Sequence, residues 1–288
     1  MIRHLKLKVP AAVTAFAIGL GFFVSSADAQ DAKAERVLSI GGSVTEIVYA
    51  LGEQDRLIAR DTTSSYPAEA EELPDVGYMR ALSPEGILSV DPQLIIAEAG
   101  SGPQETIAVM ENADIPFIQI PDGYDGDAVV AKIHAVADAL GVPEKGDALA
   151  ADVEAQLAAL DTSADTPARV LFILSMQGGR ILAAGANSGA DGIITMAGGI
   201  NAISEFEGYK PLTDEAVTAA NPDVIVMMDR GGDHAVENAD LWANPAISTT
   251  PAAQTQNIVR INGLLLLGFG PRTPEAVTQL HAALYGDE

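Results

Sequence analysis

Tyr78 and Arg80 stand two residues apart in Gly77-Tyr78-Met79-Arg80, and that pairing is capable of coordination chemistry. A phenol in water ionises near ~10, but a hard trivalent metal and a neighbouring guanidinium both favour the phenolate. Tyrosine is one of the axial ligands that haem iron accepts. The segment falls in a connection just ahead of a capped helix rather than inside an apolar run, so a ligand could reach it. The same residues also suit a loop tyrosine packed beside a surface arginine, and their types alone leave both readings open. Enzyme chemistry is harder to find. A serine nucleophile needs a base held close, normally histidine, and beyond the first 29 residues the histidines are His134, His234 and His281. His134 and His281 fall inside helical patterns and His234 in a polar loop. No spacing suggests a zinc or manganese cage, and the glycine-rich "GGS" and "GANSGADG" are not phosphate fingerprints.

The elements that would position such a pair follow an alternation of short β-branched runs and amphipathic helical ones, which predicts an α/β fold. "RVLSI" reads as a buried strand broken at Gly41-Gly42. Ser43 with Glu46 three residues on predicts a capping box for the helix that follows. "RLIAR", "QLIIAE" and "IPFIQI" read as further strands. Ser83 caps a helix with Pro84 at its first position. A helical region follows, broken once at Gly141-Val142-Pro143, and the strand–helix rhythm then restarts at "RVLFIL".

One unit occurs twice. With Leu82 aligned on Leu212, Ser83 meets Thr213, Glu85 meets Glu215, Pro92 meets Pro222 and "QLIIAE" meets "DVIVMM". Each copy is cap, short helix, proline stop and buried strand, with a Gly-Tyr pair just ahead. The expected architecture is α/β, with two similar Rossmann-like lobes joined by a long backbone helix and a ligand cleft between them. The expected divisions are an N-terminal lobe over 30–124, a helical linker over 125–163 and a C-terminal lobe over 164–288. Ligands of open α/β sheets sit beyond the carboxyl ends of the strands.

Bulk properties limit the partners. Residues 1–29 have a basic start, an apolar stretch and Ala27-Asp28-Ala29 before Gln30, the pattern of a cleaved secretory signal peptide. The chain contains no cysteine, so neither disulfides nor a lipid anchor on a processed cysteine is expected, and a free periplasmic protein fits. The formal charge is −24; removing residues 1–29, which carry a net +2, leaves −26. Nucleic acid and anionic membranes are poor partners for that field, and a monomer is expected. An anionic ligand would need local cations, for which Arg60, Arg80, Arg180, Lys210, Arg230 and Arg272 are candidates by loop position, Arg180 and Arg230 foremost.

"YPAEAEELPDVGYMRALSPEGILSVDP", "RVLFILS", "NPDVIV" and "GLLLLGFGPR" resemble the haem-binding periplasmic proteins of bacterial haem-uptake ABC transporters. The resemblance covers nearly the whole chain after residue 29, and the Gly-Tyr-x-Arg segment leading into Leu-Ser-x-Glu-Gly is its most specific part. It implies ferric haem held in the cleft by a tyrosinate, here Tyr78, with Arg80 supporting its charge. Some members carry a histidine after Leu-Ser in the segment written "LFILSMQGG" here and use it as a second ligand. This chain has Met176 there. A thioether is a poor match for ferric iron beside a phenolate, so Met176 is expected to touch the porphyrin face, leaving five-coordinate iron. Tyr209 would stack on the macrocycle or bond a propionate. Glu85 and Glu215 suit the positive ends of their helices. In binding proteins of this fold, matching glutamates on the two lobe tips dock arginines of an inner-membrane permease dimer. An outer-membrane haem receptor system would be an indirect partner. The closest alternative cargo is a ferric siderophore or a corrinoid such as cobalamin. Those sites lean on tryptophan and several arginines, and the one tryptophan here, Trp242, falls in a polar loop.

Overall fold

The computed structural model describes residues 33–229 and 236–286. The expected signal peptide, Arg230 and His234 lie outside them. The first half is β1 (Val37–Ile40), α1 (Gly42–Ala50), β2 (Leu57–Arg60), α2 (Pro84–Leu88), β3 (Leu94–Glu98), α3 (Gln104–Glu111) and β4 (Phe117–Ile120). Its four strands form one parallel sheet in the order β2-β1-β3-β4. Two helices follow, α4 (Gly126–Leu140) and α5 (Pro143–Ala158). The second half opens with β5 (Arg169–Gln177), β6 (Arg180–Ala184), α6 (Gly189–Met196), β7 (Ile200–Asn201), β8 (Tyr209–Pro211), α7 (Asp214–Ala220) and β9 (Val224–Asp229). It closes with α8 (Asn238–Ala243), α9 (Pro251–Thr255), β10 (Ile258–Asn262), α10 (Gly263–Leu267) and α11 (Thr273–Tyr285). Its sheet runs β10-β9-β5-β6-β8 with β7 beside β5, and β6 antiparallel to both β5 and β8.

The repeat read in the sequence is structural. Ser83 Oγ accepts the Gly86 N–H at 3.1 Å, and Thr213 Oγ1 accepts the Ala216 N–H at 3.2 Å. Each cap satisfies a donor that the first helical turn leaves open. The strand after each helix enters the middle of its sheet, β3 beside β1 and β9 beside β5.

Near-continuous apolar strands fit sheets covered on both faces. Alternate residues divide accordingly. Val37, Leu94, Ile96, Val170, Phe172, Val224 and Val226 point into one core with Ile133 and Val136 of α4, so both sheets and the linker share it. Their neighbours Leu38, Ile95 and Ala97 build a core belonging to the first lobe. Leu171, Ile173 and Ile225 do the same in the second.

One local expectation is corrected. The capping box at Ser43 and Glu46 does not form: the N-cap of α1 is Gly41, with no side-chain cap. Ser43 Oγ instead donates to Glu98 at 2.8 Å, and Glu46 is buried against Arg272 of the second half at 2.8 Å. Long-range partners displaced the local one. The helical linker breaks at Gly141-Val142-Pro143, as read. At Gly141 the chain turns left-handed (φ 69°), Pro143 starts α5, and α5 folds back along α4, with Gly146 packed on Ala137.

The halves also meet away from the linker. A Cβ at Gly42 would lie 2.7 Å from the Thr63 carbonyl oxygen and 2.5 Å from Leu264 Cδ1, so the close fit of α1 against that backbone and α10 favours glycine there. The Arg272 guanidinium, besides its bond to Glu46, lies over the Tyr66 ring, 3.4 Å from its centroid.

Candidate functional site

Buried Met79 anchors the segment 77–80 and leaves Tyr78 and Arg80 exposed on either side of it. The backbone fixes this arrangement. Thr62 N–H donates to Gly77 O at 3.0 Å, Gly77 N–H to Asp75 Oδ1 at 2.7 Å, and Gly102 N–H to Met79 O at 2.8 Å. Gly77 adopts φ 104°, a conformation open to glycine and strained for other residues. Tyr78 keeps 45% of its surface in solvent, unusual for a side chain of its size so close to a core.

The second lobe supplies Tyr209, opposite Ala184 in the β6–β8 pairing and 36% exposed. Its ring stands edge-on to Phe172, with centroids 6.3 Å apart. Burial raises the Tyr209 pKa; the Ala190 N–H at the start of α6, the charge of Arg80 and the Ser188 hydroxyl all work against that rise. Tyr124, at the entrance to the linker, is pushed up to about 12 by burial first, then by Asp122, to which its hydroxyl donates at 3.2 Å. Arg80 pulls this group down as well. One guanidinium of the first lobe thus lies within electrostatic reach of a linker phenol and a second-lobe phenol.

Tyr124 and Asp122 were missed in reading the sequence. A signal existed: Gly123-Tyr124 is a third Gly-Tyr pair beside Gly77-Tyr78 and Gly208-Tyr209. Beside Tyr124 opens a cavity of about 420 Å3, walled by Asp122, Asp125, Asn187, Ser188 and Asp191. Gly192 of α6 packs directly on the Tyr124 carbonyl there.

The other candidates separate. Met176 is half-buried against the core of the second lobe, its sulfur 3.8 Å from Asn244 Nδ2, on the strand face opposite Phe172. Arg60 is tied to Asp75 at 3.1 Å and Arg272 to Glu46, so both serve internal partners. Lys210 Nζ lies 5.3 Å from the centre of the Phe206 ring. Arg180 is exposed at the tip of a hairpin whose turn, Gly178-Gly179, has φ 57° and 78°, as a type I′ turn demands. Neither Arg80 nor Arg180 has an ion-pair partner among the described residues.

Glu85 and Glu215 are exposed in the first turns of α2 and α7. The Glu215 carboxyl is held below the usual range by its own backbone N–H and then by the Thr213 hydroxyl.

Residues 37–263 match the family model described as periplasmic binding protein. Among solved structures, the periplasmic heme-binding protein BhuT in complex with two hemes is 42% identical, with a TM-score of 0.81 over 86% of this chain and 97% of that one. The periplasmic heme-binding protein RhuT from Roseiflexus sp. RS-1, in apo form, is 40% identical, with a TM-score of 0.83 over 88% and 98%. A vitamin B12-binding protein of Vibrio campbellii (strain ATCC BAA-1116) is 27% identical over 92% of this chain and 94% of its own length.

Proposed function

The chain belongs to the periplasmic binding protein family, the substrate-binding proteins of ABC transporters and not enzymes, and on that footing we propose that its cargo is ferric haem. Tyr78 supplies the iron ligand as a tyrosinate, and Arg80 sustains the negative charge on that oxygen. The observation that carries this reading is exposed Tyr78 two residues from exposed Arg80, whose charge reaches Tyr209 of the second lobe and Tyr124 of the linker. The kinship with solved haem binders at 40% and 42% identity supports it. Tyr209, 36% exposed, offers aromatic surface to a macrocycle, and fully buried Phe172 backs its ring. Arg180 and Arg230 are the cations proposed for the propionates, and Met176 contributes apolar surface at the rim. Residues 1–29 direct export and are removed.

A corrinoid is the second reading, favoured by the full-length kinship with vitamin B12-binding proteins. The two cargoes differ in what they ask of a phenol: ferric iron needs the phenolate, a corrin does not. Titration of the purified protein with hemin, and separately with cyanocobalamin, is expected to give a tyrosinate-type ferric spectrum at one-to-one or two-to-one hemin and no saturable cobalamin binding. Tight cobalamin binding without a hemin spectrum would overturn the assignment.

Delivery is proposed to use Glu85 and Glu215, presented on equivalent helices of the two lobes to arginines of an inner-membrane permease dimer. The double variant Glu85→Ala, Glu215→Ala should bind hemin like the parent chain while its affinity for the permease falls at least ~10-fold. Surface plasmon resonance on permease held in nanodiscs reads that difference directly.

A further inference from the structure

Tyr66 is 42% exposed and belongs to none of the three apolar cores, yet one face of its ring is covered. The cover comes from the other half of the chain, where the Arg272 guanidinium lies 3.4 Å from the ring centroid. Arg272 is itself fixed, its backbone N–H and Nη2 donating to buried Glu46 at 3.1 and 2.8 Å. Its Nε is buried without a hydrogen-bond partner among the described residues, so the π face is a large part of what sustains this cation. Tyr66 also follows directly on the residues that carry the Tyr78 segment. Thr62 N–H donates to Gly77 O at 3.0 Å and Thr62 Oγ1 to Asp75 Oδ1 at 3.2 Å, while Thr63 Oγ1 lies 4.0 Å from Met79 Sδ. Buried Asp61 braces the stretch, accepting from the Thr63 and Ser64 hydroxyls at 2.7 and 2.8 Å and from the Gly41 N–H at 2.9 Å.

We propose that Arg272 is a positioning residue for the haem ligand. By holding Tyr66 from the second half, it fixes residues 61–66 and, through Thr62 and Thr63, the place of Tyr78 relative to the second lobe. The inference rests on the reading of Tyr78 as the iron ligand and adds what aims it. Two features separate this role from general stabilisation. The Tyr66 ring lies outside the cores, so it adds little to the packing of either lobe. The groups bonded to the backbone at 75–79 come immediately before it in the chain, so a shift at Tyr66 is passed to them within one braced stretch.

The test is Tyr66→Ala, which removes an exposed ring and leaves the Glu46–Arg272 pair in place. Hemin affinity should fall roughly 3- to 10-fold, as when a binding-competent placement drops to between about a third and a tenth of the molecules. The tyrosinate band should shift, and without hemin the Thr62 amide should exchange faster. The thermal midpoint should stay within ~4 °C of the parent, the size of one lost cation–π contact. Tyr66→Phe keeps the π face and should match the parent throughout. Arg272→Lys keeps a charge beside Glu46 but has no planar face to lay on the ring, and should bind hemin as Tyr66→Ala does. If Tyr66→Ala keeps parental affinity and spectrum, the positioning role falls, whether or not Thr62 exchange rises, and Tyr78 stands as the ligand. An equal loss in Tyr66→Phe would assign the effect to the hydroxyl and overturn the proposal as well. A parent chain that gives no tyrosinate spectrum with hemin would sink the ligand reading, and this inference with it.

Discussion

Tyr78→Phe is expected to bind hemin about 100-fold more weakly than the parent chain, a loss of about 2.7 kcal/mol, and to lose the tyrosinate spectrum altogether. The substitution removes one oxygen and keeps the ring. Because the ring is 45% exposed and the backbone at 77–80 is held by its own hydrogen bonds, the fold should be unaffected. Tyr209→Phe is the informative control. Burial raises the Tyr209 pKa, so that phenol starts further from the anion ferric iron prefers, and its loss should cost only a few-fold in affinity. The reverse pattern, with Tyr209→Phe bleaching the spectrum and Tyr78→Phe leaving it intact, would move the iron ligand to the second lobe. Equilibrium titration followed in the visible range distinguishes the two.

Local rules made the repeated unit legible, and tertiary contacts hid much of the rest. Ser83 and Thr213 cap as read because a cap acts within three residues. Proline after each helix and β-branched residues beyond it likewise act locally. Ser43 and Glu46 match the same local pattern, yet their partners are Glu98, Lys132 and Arg272. The last lies 226 positions away, and no spacing rule sees that far. The site divides similarly. Tyr78 and Arg80 could be read because they are two residues apart. Tyr124 and Tyr209 join Arg80 only once the linker has folded, and the acidic wall beside Tyr124 comes from α6 and the entrance to α4 together. The linker shows the same limit: Gly141 and Pro143 mark a break in the sequence, but only packing of Gly146 on Ala137 makes it a reversal.

The amphipathic pattern of α4 contains one residue that does not fit, and the largest stability effect should arise there. Val129, Ile133, Val136 and Leu140 mark the buried stripe, and Lys132 falls within it, with its side chain 1% exposed. A buried ammonium is tolerable only when paired and hydrogen-bonded. Lys132 Nζ donates to Glu98 Oε1 at 2.6 Å, Ser43 Oγ at 3.2 Å and Gly268 O at 3.2 Å, with Asp122 at 3.7 Å. Those partners belong to β3, α1, the loop after α10 and the entrance to the linker, so one side chain ties both lobes to the linker. Lys132→Met preserves length and apolar bulk but leaves Glu98, 14% exposed, without its cation. Breaking a buried pair from one side costs about 3–5 kcal/mol, which in a chain of this size lowers the thermal midpoint by about 10 °C. Lys132→Met combined with Glu98→Gln removes the stranded charge and should recover a large part of that loss. A melt of the single variant within ~2 °C of the parent, where measured shifts stop being distinguishable from a surface substitution, would show that the network does not join the lobes. Because Asp122 lies near Lys132 and accepts from the Tyr124 hydroxyl, hemin affinity of the single variant should fall together with its stability, whereas the double variant should regain both.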